Sequence, residues 1–205
     1  MSTRRTLAVV TAGLSQPSSS RLLADRLATA TADGLLEAGQ ETDVEVVELR
    51  EHAHAIVDAM LTRFPSGELA TALDTVTGAD GLVMVSPLFT TTYSGLFKSF
   101  VDVIDPDALT GKPVLLGATG GTSRHSLALD YSMRPLLTYL RTQVVPTSVF
   151  AATDDWAGDG SDALARRIGR AGRELADAVA VRPAATGQED PFGDTPDFAQ
   201  LLGGS

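Results

Sequence analysis

Three short stretches of this chain carry side chains suited to binding an anionic, ring-bearing ligand. The first is TAGLSQPSSSR, Thr11 to Arg21, which holds five hydroxyl side chains and one arginine. It lies between an apolar run and a helical pattern. Unpaired N–H groups and the positive end of a helix dipole favour an anion at such a point. The hydroxyls of Ser15, Ser18, Ser19 and Ser20 can donate to phosphate oxygens, and Arg21 can add charge. The same residues also suit an ordinary serine-rich turn and helix cap. The stretch lacks the Gly-Lys-Ser/Thr ending of a triphosphate loop and the G-x-G-x-x-G of dinucleotide folds. A single terminal phosphate is the better match.

The second stretch is SPLFTTTYSGLFKSF, from Ser86. Pro87, Leu88 and Phe89 can cover a flat ring, while groups around Thr90 to Tyr93 hydrogen-bond to its edge. Phe89 and Tyr93 would serve equally as core residues. The third, ATGGTSRHS from Ala118, pairs Gly120 with Gly121 and follows them with Ser123. Glycine lets the backbone approach a ligand closely, although an ordinary strand-to-helix turn capped by Ser123 has the same composition. Other polar residues invite weaker readings. His125 is a proton-transfer candidate or a structural histidine near a helix start. His52 and His54 have no third metal ligand in view, so no metal site is expected. Asp154, Asp155 and Trp156 form either a rim to the site or a solvated turn. Arg124 either attracts a 2′-phosphate or forms a surface ion pair.

The elements that must position these loops follow from hydrophobic pattern. TLAVVT (Thr6–Thr11), GLVMVS (Gly81–Ser86), PVLLGA (Pro113–Ala118) and VVPTSVF (Val144–Phe150) are short apolar runs of the kind found in buried parallel strands. DVEVVEL (Asp43–Leu49) alternates, as an edge strand does. Pro146 costs the fourth run a ladder hydrogen bond, which predicts an edge position or a start after the proline. Apolar stripes at helical spacing include Leu23, Leu27 and Ala30, then Leu129 to Leu140, then Leu164 to Leu175. Pro135 predicts a kink or late start in the second stripe. Shorter helices are expected over Glu68–Val76 and Ser94–Val103. Strands alternating with helices predict an α/β flavodoxin-like three-layer sandwich: a five-stranded parallel sheet in order 2-1-3-4-5, with helices on both faces. In that order strands one, three and four are neighbours, so the three loops meet at one sheet edge. The expected organisation is one domain over residues 1–182 and a Pro/Gly/Asp-rich tail over 183–205. The tail's spaced Phe192 and Phe198 suit either a disordered end or packing on a partner subunit.

Composition narrows the chemistry. There are no cysteines, which excludes disulfides and thiolate nucleophiles. A net charge of −10 argues against nucleic acid and anionic lipid. No apolar run approaches the ~20 residues of a membrane span. The N-terminal apolar run is shorter than the roughly 7–15 residues of a signal peptide core, so a cytoplasmic location is expected.

GLSQPSSSR, SPLFTTTYSGLFKSFVD and GATGGTSRHSLALDYSMRPLL together resemble the NADPH-dependent FMN reductase family over about Leu7 to Ala180. The likeness is strongest to bacterial FMN reductases that partner flavin-dependent monooxygenases. The resemblance implies an NAD(P)H:FMN oxidoreductase that moves a hydride from NADPH or NADH to flavin N5. It implies no obligatory acid–base residue. By the resemblance, Ser15, Ser18, Ser20 and Arg21 hold the FMN phosphate. Pro87, Leu88, Phe89, Thr90 and Tyr93 line the isoalloxazine, and Gly120, Gly121 and Ser123 close its other side. The family's commoner Gly-Ser-Pro-Arg opening is here Leu14-Ser15-Gln16-Pro17. Homodimers or homotetramers are implied, with the Ser94–Val103 helix and the Leu129–Leu140 stripe as interface candidates. Two alternatives stand beside this reading: an FMN-containing quinone or azo reductase, and a flavodoxin-like electron carrier without a nicotinamide site. A receiver domain shares the topology but needs acidic residues where Thr11, Ala12 and Gly13 stand.

Overall fold

The computed structural model describes residues 4–157 and 159–183. The expected tail lies, but for Pro183, outside the described residues. Strands β1 (Arg4–Thr11), β2 (Glu41–Glu48), β3 (Gly81–Phe89) and β5 (Pro113–Gly120) pair in parallel in the order β2-β1-β3-β5. A two-residue strand, β4 (Thr92–Tyr93), folds back antiparallel on β3. The last position is shared by β6 (Gln143–Val144) and β7 (Val149–Ala152), which both pair in parallel with β5. This is the flavodoxin-like order 2-1-3-4-5, with β5 fourth and a divided fifth strand. The division falls at Pro146, which has no N–H for the ladder. The Arg134 guanidinium bridges the gap, donating to the carbonyls of Val145 and Pro146 (both 3.1 Å) and to Ser148 Oγ (2.9 Å).

The helices are α1 (Ser19–Glu37), α2 (Ala53–Thr62), α3 (Glu68–Gly78), α4 (Gly95–Val103), α5 (Arg134–Tyr139) and α6 (Asp159–Ala180). Strand side chains alternate between two cores, as the two-residue period of a strand requires. Leu7, Val9, Val83, Val85 and Leu115 face α1 and α6, whereas Ala8, Val10, Leu82, Met84, Val114 and Leu116 face the opposite helix layer. Leu23 and Leu27 of α1 are fully buried against the first set, each contributing about 2 kcal/mol of apolar burial. Gly117 allows α1 this close to the sheet, since a Cβ there would lie 3.0 Å from Leu27 Cδ1. Pro135 sits in the first turn of α5, after a π-helical turn over Leu129–Met133. The late helix start expected at that proline is therefore present. Helix α2 and hairpin strand β4 carried no clear sequence signal.

The edge of the sheet opposite the loops is latched shut. Buried Arg5 pairs with Asp80 at 3.2 Å and donates to the Arg182 carbonyl at 2.7 Å, tying the end of α6 to β1. Lys112 donates to the carbonyls of Thr77 and Ala79, and burial, with Arg182 nearby, lowers its pKa to about 8. No helix among the described residues is long and apolar enough to cross a membrane.

Candidate functional site

The loops leaving β1, β3 and β5 enclose a cleft of about 420 Å³ at the carboxyl edge of the sheet, within the range of small-molecule sites. One wall is the start of α1. Ser18 is its N-cap, accepting the Arg21 N–H at 3.2 Å, and the Ser18 carbonyl accepts the Leu22 N–H at 3.0 Å. That leaves the N–H groups of Ser19 and Ser20 without protein acceptors among the described residues, both in the cleft wall. Ser15 and Ser18 line the same wall. Gly13 brings the loop back onto its own cap, and a Cβ there would collide with Ser18 Oγ. Ser20 is buried and shares a 2.7 Å hydrogen bond with Thr119 Oγ1, which joins α1 to β5.

Arg21 points elsewhere. Its guanidinium donates to Asp25 at 2.7 Å, one helical turn along, and pairs with Glu48 at the end of β2. The Asp25 hydrogen bond is the main reason its pKa stands above the ordinary arginine value. The residue does not contribute to the cleft lining. The spacing to Asp25 was visible in the sequence, whereas Glu48 reaches Arg21 only through the pairing of β2 with β1.

Pro87, Leu88 and Phe89 form the second wall, with Phe89 about half exposed. Beyond them the chain reverses through Thr90 and Thr91, at φ of +50° and +74°. Positive φ is costly for a β-branched residue, of order 1–3 kcal/mol each. The hairpin is held at both ends. Ser86 Oγ accepts the Ser94 N–H and donates to the Pro87 carbonyl (both 2.9 Å), and the Thr92 and Ser132 hydroxyls are hydrogen-bonded. Thr90 and Tyr93 lie outside the cleft lining; the Tyr93 ring packs against Phe97 at 5.8 Å between centroids.

Gly120 and Gly121 form the third wall. A Cβ at Gly120 would meet Phe150 Cζ at 3.0 Å, whereas one at Gly121 would meet nothing within 4 Å. Gly121 thus leaves its backbone open to whatever fills the cleft. Ser123 turns away and lines a neighbouring cavity, with Arg124 and His125 in the same short 3₁₀ turn. His52 ends a 3₁₀ turn and His54 lies in the first turn of α2; neither contributes to the cleft. Asp155 accepts the Ala152 N–H at 2.9 Å and faces Arg167, folding the turn that places Trp156 in the cleft wall. Sequence reasoning passed over Gly13, Leu14, Thr119, Ala151 and Thr153 as lining residues. Of these only Gly13, a glycine two residues after a strand, carried a local signal.

The wall is therefore built for a ligand with an anion at one end and a flat, mainly apolar body. The comparisons with known proteins decide which. A model of the NADPH-dependent FMN reductase family matches residues 5–157. The chain belongs to the NADPH-dependent FMN reductase family. An FMN reductase (NADPH) of Pseudomonas aeruginosa is 35% identical over 149 residues, covering 72% of this chain and 76% of that protein. The NADH-dependent FMN reductase SfnE of Pseudomonas putida is 34% identical over 170 residues, 82% of this chain and 89% of its own. The crystal structure of an oxidoreductase from Corynebacterium diphtheriae superposes with a TM-score of 0.86 at 44% identity, over 89% of this chain and 100% of that one. As an NAD(P)H-dependent FMN reductase the protein is an oxidoreductase that uses FMN with NADPH or NADH.

Proposed function

We propose that this reductase takes up FMN as an exchangeable partner, reduces it in the cleft, and releases it to a separate flavin-dependent monooxygenase. The observation that carries the reading is the composition of the cleft wall. It offers two unpartnered N–H groups at a serine-capped helix start and an apolar slot, with no charged side chain in the lining. FMN, when bound, supplies the hydride-accepting chemistry. The N–H groups of Ser19 and Ser20, with the hydroxyls of Ser15, Ser18 and Ser19, hold its phosphate. Ser20's own hydroxyl fixes the wall through Thr119, and Arg21 orients the loop from outside it. Pro87, Leu88 and Phe89 face the isoalloxazine from one side, with Gly120 and Gly121 opposite and Trp156 at the rim. Thr90, Tyr93 and Ser123 act through the hairpin and turn they build, and His125 has no role in the reaction.

Neutral donors hold an exchangeable phosphate more readily than a locked one, because no ion pair must be broken for release. The chain's role in the reaction is orientation and exclusion of water. In the same reading the protein is a cytoplasmic homo-oligomer. Leu127, Tyr131 and Tyr139, around the π-helical turn and α5, are between 61% and 80% exposed and supply an apolar face for a second copy.

Gel filtration of FMN-loaded protein, followed by a steady-state assay, tests both points. The expected result is elution as a dimer or tetramer with flavin left behind on the column, and steady-state NADPH oxidation that rises with added free FMN. Co-elution of a stoichiometric flavin, with turnover that ignores free FMN but responds to quinones, would replace this reading with a quinone or azo reductase.

A further inference from the structure

The arginine that follows the serine cradle is held outside it by a carboxylate. Glu48 stands at the carboxyl end of β2, in register with Thr11, the residue from which the first loop departs. Its two oxygens are divided between two guanidinium groups. Oε1 accepts from Arg21 Nη1, and Oε2 accepts from Arg50 Nε at 3.0 Å. Arg50 also faces Glu51 at 3.6 Å. With the Gln16 amide oxygen turned toward it, Arg50 Nη1 donates to the loop itself at 2.8 Å. Glu48 thus gathers two cations on the outer side of the loop, and the cleft lining on the inner side holds no charged side chain.

Arg21 is nonetheless close to the cradle. It directly follows Ser20, so the two Cα atoms are about 3.8 Å apart. Its own N–H is bonded to Ser18 Oγ in the cleft wall. Side chains on a helix lean toward its N-terminus, which is the end that carries the unpartnered N–H groups of Ser19 and Ser20. Two carboxylates draw the guanidinium away from that end, and they are unequal. The Asp25 pair spans one helical turn at 2.7 Å between side chains 37% and 47% exposed, and exposed pairs of this kind contribute little. The Glu48 side chain is only 23% exposed, so water and salt screen its charge less.

We propose that Glu48 is a positioning residue that sets how tightly the flavin phosphate is held. By keeping Arg21 outside the cleft it leaves the phosphate to neutral donors and the flavin exchangeable. The proposal rests on the flavin reading of the cleft. Glutamine at this position keeps the size of the side chain and one acceptor but removes the charge. Arg21 is then held only by the exposed Asp25 pair, and it turns to a bound phosphate to form a charge-assisted hydrogen bond. Followed by Trp156 fluorescence, Glu48→Gln should bind FMN about tenfold more tightly, roughly 1.4 kcal/mol. Its FMN release rate should slow by a similar factor. Riboflavin has no phosphate and should bind the variant and the wild type alike. The double variant Glu48→Gln/Arg21→Met replaces the guanidinium with an uncharged helix former and should lose the gain.

A Glu48→Gln protein that binds both flavins more weakly would overturn the proposal and reduce Glu48 to a scaffold for the loop. Unchanged FMN affinity, or a gain shared equally by riboflavin, would overturn it as well. A gain that survives in the double variant would do the same, because removal of a negative charge would then suffice without Arg21. All three outcomes leave the flavin cleft intact. Wild-type protein that binds neither flavin would remove the cleft reading and the proposal together.

Discussion

Gly13→Ala should weaken FMN binding by about 100-fold while leaving the protein folded. The new methyl group collides with Ser18 Oγ. Backbone dihedrals are not the obstacle, because Gly13 is not among the positive-φ glycines. Relief requires either Ser18 to abandon its cap or the whole loop to move off α1. Both displace the N–H pair of Ser19 and Ser20 from the cleft wall. Two charge-assisted hydrogen bonds to phosphate, at about 1.5 kcal/mol each, give roughly 3 kcal/mol, or two decades of affinity. Stability suffers less: a lost serine cap costs about 1 kcal/mol, which lowers Tm by about 2–4 °C in a chain of this size. A folded Gly13→Ala protein that binds FMN normally contradicts this account of the cradle.

Gly172→Ala should destabilise the protein by about 2 kcal/mol, although the same change favours most helices by 0.5–1 kcal/mol. Helices α1 and α6 touch backbone to backbone here. A Cβ on Gly172 would lie 2.6 Å from Ala30 Cβ, 2.7 Å from its carbonyl carbon and 2.9 Å from its carbonyl oxygen. No side chain can rotate away, so one helix must shift. Because α1 carries Ser18, Ser19 and Ser20 at its start, that shift should also loosen flavin binding. Gly169→Ala, one turn earlier on α6, has room and should stabilise by about 0.5–1 kcal/mol. Chemical denaturation of the three proteins checks the contrast. Equal stability in Gly172→Ala and Gly169→Ala would mean that the helices are not packed this closely.

The sheet and most helices were legible in the sequence because their hydrophobic periods are local properties. Four apolar runs and one alternating run became strands, and Pro146 marked the break in the fifth. The three loops were legible as a group, since the strand order alone brings them to one edge. What the sequence hid were outcomes of tertiary competition. Arg21 resembled a phosphate ligand until Glu48, 27 residues away, was brought beside it by the pairing of β1 with β2. The turn at Thr90 and Thr91 was hidden for the opposite reason, because β-branched residues are poor local signals for positive φ. The β3–β4 pairing, the buried Ser86–Ser94 contact and the Thr92–Ser132 pair show how the hairpin is held. Thr119 likewise reads as an ordinary strand residue until Ser20, in the first turn of α1, is packed against it.

Trp156 provides the most direct test, because it is the only tryptophan in the chain and it lines the cleft. Titrating FMN into the protein while exciting that residue should quench its fluorescence in a single saturable phase. Riboflavin, which lacks the phosphate, should need a concentration about 100 times higher, the same two charge-assisted bonds being absent. Unchanged fluorescence at saturating flavin, or equal affinity for FMN and riboflavin, would show that the flavin does not sit between the α1 cradle and Trp156.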